Sequence, residues 1–91
     1  MGRGRKTISP EQAEFNRYMG AKLKHFRVSA GMKRYTLSKK LSLTPIMIQR
    51  YEDGLYQIPL ATLVLICKVL GNCAVVDFIP NSENKLLTEE S

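Results

Sequence analysis

Helix-start and helix-stop signals recur along this chain at intervals of ten to twenty residues, and that punctuation limits the fold more than any other feature. Ser9-Pro10 opens the first segment: Ser9 is a cap, Pro10 suits the first helical position, and Gln12 completes a capping box. Phe15, Met19, Leu23, Phe26 and Ala30 then recur at helical spacing, and Gly31 is a natural stop. A short second helix follows around Leu37 and Leu41, without a good cap, since Lys33 or Arg34 stands where Ser, Thr or Asp is expected. Ser42-Leu43 is a tight link to Thr44-Pro45, a clear N-terminus, and the third helix runs from Pro45 to about Asp53, with Ile48 and Tyr51 inward and Gly54 as its end. Pro59 opens a fourth helix that reaches Leu70 and stops at Gly71.

The fourth helix is apolar nearly all round. Leu60, Leu63, Ile66, Cys67 and Leu70 form one stripe, and Val64, Leu65 and Val69 cover much of the other side. A chain of 91 residues is one domain with a single modest core. It has too little material to bury both faces, so a second copy is the expected cover. After Asn72 the run CAVVDFIP, with Ala74, Val76 and Phe78 on one face, reads as a short strand that needs another strand to pair with. Val64, Leu65, Val69, Val75, Val76, Phe78 and Ile79 are therefore the expected dimer interface. The expected organisation is a basic arm over 1–8, a helical domain over 9–71, a dimerising strand over 72–80 and a polar tail over 81–91.

Charge is unevenly divided. Residues 1–50 hold twelve of the fourteen Lys and Arg against two acids, a balance of +10, while residues 51–91 stand at −4. One end of the molecule is thus suited to a polyanion, although charge alone is equally compatible with a solvated basic surface. No apolar run approaches the ~20 residues that span a bilayer. The basic N-terminus has no apolar run behind it, so no secretory signal is expected. Cys67 and Cys73 make no disulfide framework and no CxxC pair, which fits a reduced, cytoplasmic, nucleoid-associated protein. His25 is the sole histidine, without Cys, Asp or Glu at ligand spacing, and it serves no Ser/His/Asp or Cys/His set. Neither a metal, a cofactor nor an enzyme activity is expected.

Two helices joined by a tight turn, the second capped and the pair rich in basic residues, suggest major-groove reading. The stretch GAKLKHFRVSAGMKRYTLSKKLSLTPIMIQRYEDG, followed by IPLATLVLICKVLG, resembles the Cro/CI-type (XRE) helix-turn-helix family over about Gly20 to Gly71. Arg27, Gly31-Met32, Leu37, the turn around Leu41 and Leu43, Thr44 and the ending Tyr51-Glu52-Asp53-Gly54 carry the match. Ser38 stands where the family usually has Ala, Ser42 where it usually has Gly, and Arg34 where Gln is common. Ser42 must therefore tolerate a left-handed or strained conformation. The start of the third helix, usually polar, is Pro45-Ile46-Met47. A more distant likeness, in layout rather than residues, is to HipB-type antitoxins.

The resemblance implies an all-α, four- to five-helix, lambda-repressor-like domain, here with a C-terminal strand pairing across a dimer. It also implies that Pro45, Ile46, Met47, Gln49 and Arg50 face base edges, with Arg34 reaching in from the second helix. Arg can hold guanine, Gln adenine, and an apolar side chain a thymine methyl; the alternative is that Ile46 and Met47 are core or dimer contacts. Lys33, Arg34, Tyr35, Lys39, Lys40 and Thr44, with Tyr56 and Gln57 after the third helix, are the expected phosphate contacts, so that Arg34 stands in both sets, against the alternative of a solvated charged face. In the family the acid matching Glu52 pairs internally with the arginine matching Arg27, so that pair is structural. The arm Gly2–Lys6 either tracks the minor groove or makes no contact. The expected function is a homodimeric repressor of a palindromic operator in double-stranded DNA, with a toxin or phage protein as a further partner. The alternative is a protein-interaction module that kept the fold and lost sequence reading.

Overall fold

The computed structural model describes residues 8–80. They form four α-helices, α1 (Pro10–Ser29), α2 (Arg34–Leu41), α3 (Pro45–Glu52) and α4 (Leu60–Leu70), and a 3-10 turn at Val75–Phe78. The arm Gly2–Lys6 and the tail from residue 81 lie outside the described residues.

Each boundary has a local cause. The Ser9 hydroxyl accepts the Gln12 N–H at 3.1 Å, satisfying one of the orphan donors at the start of α1. The capping box is only half made, because the Gln12 amide turns away and donates to Asn16 Oδ1 at 3.1 Å. Thr44 caps α3 in the same way, accepting the Met47 N–H at 3.2 Å, with Pro45 at the first helical position. At the start of α2 Lys33 supplies no side-chain cap. That short helix is held by packing: Leu37 is fully buried and Ser38 is 1% exposed.

The core is drawn from every element. Leu23 of α1, Leu37 of α2, Ile48 and Tyr51 of α3, Ile58 of the following loop, and Leu63, Ile66 and Leu70 of α4 are buried together with Phe78. Helix α3 is gripped between α1 and α2, and α2 also packs on α4. The α1–α3 crossing is unusually close at Gly20: a Cβ there would lie 2.7 Å from the Glu52 carbonyl oxygen and nearer still to that of Tyr51. Three positions of the expected apolar stripes fall outside this core: Phe15, which is half-buried, Ala30 beyond the end of α1, and Leu60, which is 68% exposed.

Among the described residues there is no strand, and the segment expected to be one folds differently. The Ala74 N–H donates to Asp77 Oδ2 at 2.8 Å, and the Asp77 N–H donates back to the Ala74 carbonyl at 2.9 Å. This reciprocal cap wraps the chain into a turn. A three-residue period places Val75 and Phe78 on one side and Val76 on the other. Phe78 is accordingly fully buried, its ring 5.6 Å from that of Phe26, while Val76 is 53% exposed. Of the residues assigned to a dimer interface, Phe78 belongs to the chain's own core and Val69 and Val75 pack against it. Ile79 is half-buried. Val64, Leu65 and Val76 are exposed.

Candidate nucleic-acid interface

Helix α3 is seated so that one continuous face points outward. At 100° per residue, Pro45, Gln49, Ile46 and Arg50 fall within one arc, and all four are exposed. Ile48, Tyr51 and Glu52 occupy the opposite, buried side. Burial in apolar surroundings pushes the Tyr51 phenol above its usual range. Met47, grouped with the outward residues on sequence grounds, is half-buried and packs against the core. Its position on the wheel places it beside Tyr51, so it anchors the helix instead.

The turn that aims α3 is built from backbone. Ser42 sits in the left-handed region (φ 59°, ψ 38°), the conformation that the resemblance implied for a position usually held by Gly. From there the Leu43 N–H reaches back to the Ser38 carbonyl at 2.8 Å, a bond that closes the end of α2 and lets α3 start at once.

Around this face the charges are one-sided. Lys33, just before α2, and Lys39 and Lys40 within it are exposed, as are Tyr35 and Thr44, and α2 carries no acid in its sequence. Lys39 lies over the Tyr35 ring, 5.4 Å from its centroid, and Arg50 lies 5.8 Å from the centroid of Tyr56. These cation–π contacts limit the wandering of two long side chains at the edge of the surface. Gln57 is exposed beside Tyr56. Asp53, at the far end of α3, is the exposed acid nearest to this face in sequence.

The other acid of α3 is neutralised internally. Glu52 is 7% exposed and accepts from Arg27 Nε at 2.5 Å and Arg27 Nη2 at 3.2 Å, while Arg27 Nη1 donates to the Met32 carbonyl at 2.8 Å. A second arginine shares the carboxylate: Arg34 Nε donates to Glu52 Oε1 at 2.9 Å. That contact was not legible in the sequence, where Arg34 reads only as a DNA contact reaching in from the second helix. Gly20 and Asp77 were missed as well. An isolated glycine inside a strongly periodic helix is the available signal for the first; a short acid three residues after the chain turns is the signal for the second.

Cys67 and Cys73 are free thiols 3.8 Å apart, both half-buried. Desolvation, then the neighbouring Cys67, pushes Cys73 up to about 12, and burial also raises Cys67. The described residues hold no group of three His, Cys, Asp or Glu placed to bind a metal, and no described helix is long and apolar enough to cross a membrane.

A helix-turn-helix family model matches residues 23–78, more than half of the chain. The chain belongs to the XRE-type helix-turn-helix family. The crystal structure of the clp gene regulator ClgR from C. glutamicum is similar to it, with a TM-score of 0.66 at 21% identity, over 84% of this chain and 88% of that one. At that identity the likeness is one of fold. No curated protein sequence gives a significant match. Membership in the XRE-type family places the chain among DNA-binding regulatory domains.

Proposed function

We propose that this protein is a sequence-specific DNA-binding transcriptional repressor that acts as a homodimer on a palindromic operator in the nucleoid. The observation that carries the reading is the exposed arc of Pro45, Ile46, Gln49 and Arg50 on a helix whose opposite side is buried against α1 and α2. A helix held this firmly presents its readers without an ordering cost. Arg50 and Gln49 supply hydrogen bonds to base edges, and Ile46 and Pro45 offer apolar surface to a thymine methyl. Lys33, Tyr35, Lys39, Lys40, Thr44, Tyr56 and Gln57 fit backbone contacts that set register.

Dimerisation is supported by the outer face of α4. Leu60, Ala61, Val64 and Leu65 are exposed there, with Lys68 as the one charge, and Val76 is exposed on the neighbouring turn. Five apolar side chains left in water on so small a domain are best covered by a second copy. Helix-to-helix packing through this face replaces strand pairing. Two α3 helices would then enter successive major grooves about 34 Å apart.

In vitro selection from random duplexes, followed by anisotropy at moderate salt, tests the reading. A recovered site should be palindromic and bind at least ~10³-fold tighter than random duplex. Binding no tighter than random duplex would favour the protein-interaction alternative, which draws on the exposed Ile46. Sedimentation equilibrium of Leu65→Glu, compared with wild type, tests the dimer: the variant should be monomeric where the wild type is paired. An antitoxin role adds a protein partner, and a stable complex with the product of the neighbouring gene is its test.

A further inference from the structure

The buried carboxylate of Glu52 serves two arginines that differ in what they have left to offer. Arg27 is spent, with Nε, Nη1 and Nη2 all bonded within the protein and its side chain 9% exposed. Arg34 is tied only through Nε, and its side chain is 37% exposed. Its two terminal nitrogens have no partner among the described residues. Two guanidinium groups against one carboxylate leave the cluster with a net positive charge, and that charge sits where Arg34 reaches solvent.

The anchor also decides where Arg34 can act. Glu52 is the last residue of α3, about 10 Å along the helix from Pro45. A guanidinium held at that end is remote from the leading edge of the helix, where base reading is concentrated in this architecture. With Nε engaged, Arg34 presents its outer edge, two parallel N–H donors matched to two oxygens of a phosphate. Lys33, the residue before it, and Lys39 and Lys40 on the same helix are exposed cations, so the local field favours the backbone.

We infer that Glu52 is a positioning residue that clamps Arg34 end-on for a DNA phosphate, so that Arg34 sets register on the backbone and does not read a base. The assignment rests on the DNA-binding reading above and decides between the two sequence expectations for Arg34, with Glu52 as the residue that fixes the choice.

The test is anisotropy of wild type, Arg34→Gln and Arg34→Lys on the duplex recovered by selection and on a random duplex, over a range of salt. Melting curves establish that each variant is folded at the assay temperature. Arg34→Gln should lose about tenfold in affinity on both duplexes alike, and its salt slope should fall by about 0.9. Arg34→Lys should keep the wild-type slope, because the charge remains, yet lose affinity, because an ammonium cannot hold Glu52 and a phosphate in the same geometry. A loss confined to the selected duplex would put Arg34 on a base edge and overturn the assignment. Wild-type affinity in Arg34→Gln, or in Arg34→Lys, would remove the clamp while leaving the DNA-binding reading standing. A wild type that binds neither duplex would refute both.

Discussion

Gly20→Ala sets two effects of opposite sign against each other. Gly20 lies in the middle of α1, a twenty-residue helix, and replacing an interior glycine by alanine ordinarily stabilises a helix by about 0.8–1 kcal/mol. Here the added methyl meets the last turn of α3, 2.7 Å from the Glu52 carbonyl oxygen and closer to that of Tyr51. Both obstacles are backbone, so no side chain can swing aside, and the two helices must move apart. Overpacking costs about 1–3 kcal/mol when flexible side chains absorb it; a rigid contact belongs at the upper end. The net expectation is a destabilisation of about 1–2 kcal/mol, which lowers the melting temperature by roughly 5–15 °C for a domain of this size. Differential scanning calorimetry measures it, with Ala21→Gly, at an exposed position of the same helix, calibrating the propensity contribution. A melting temperature for Gly20→Ala at or above wild type would show that the α1–α3 approach is looser than described. Because Tyr51 and Glu52 carry the buried side of α3, the helix proposed to read DNA, the variant should also lose DNA affinity in excess of its stability loss.

Other perturbations probe the remaining elements. Ser42→Gly should stabilise by about 0.5–1 kcal/mol in urea denaturation, since a left-handed serine costs about 1–2 kcal/mol and glycine gives part of that back as unfolded-state entropy; a loss would mean the hydroxyl makes an unseen bond. Glu52→Gln should cost about 3–5 kcal/mol by leaving Arg27 buried without its counter-charge, whereas Arg27→Met should cost less, because Arg34 still pairs with Glu52; equal losses in the two urea titrations would contradict the shared carboxylate. Phe78→Ala should cost about 3–5 kcal/mol, and a loss below about 1 kcal/mol would return the 75–78 segment to the surface. The thiols of Cys67 and Cys73 are raised in the folded chain, so the unfolded state releases its protons first as pH rises. Their stabilisation is complete below about pH 8.5 and is lost above it. The urea midpoint should therefore fall in that range, and less so in a Cys73→Ala variant.

Much of the fold is legible because its signals are local. Ser9-Pro10, Thr44-Pro45, Gly31, Gly54 and Gly71 act through bonds within one helical turn, and the structure starts and stops its helices at or within a residue or two of them. The resemblance implied an outward set of Pro45, Ile46, Met47, Gln49 and Arg50, and the structure exposes all of it but Met47. The left-handed geometry of Ser42 was implied by the resemblance, because it stands where the family usually has Gly. Residues whose roles depend on elements distant in sequence were not legible. Met47 faces the core because α3 is covered on two sides; Leu60 is bare because nothing in the described chain reaches it.

The stretch 74–79 shows the boundary between the two kinds of information. Its β-branched and aromatic composition favours extension, and period two groups Ala74, Val76 and Phe78. Strand geometry, however, needs a neighbouring strand to satisfy its backbone, and the described chain supplies none. Asp77 satisfies the backbone locally, and the pocket beside Phe26 receives Phe78, so period three wins. Arg34 is the same lesson at the α2–α3 contact: its charge is written in the sequence, but the direction of that charge exists only where α2 brings it within 2.9 Å of a carboxylate on α3. Caps, stops and periodicity need only neighbours along the chain and were decided by the residues alone. The direction of a guanidinium and the seat of a phenyl ring depend on which surfaces meet, and those were decided by tertiary packing.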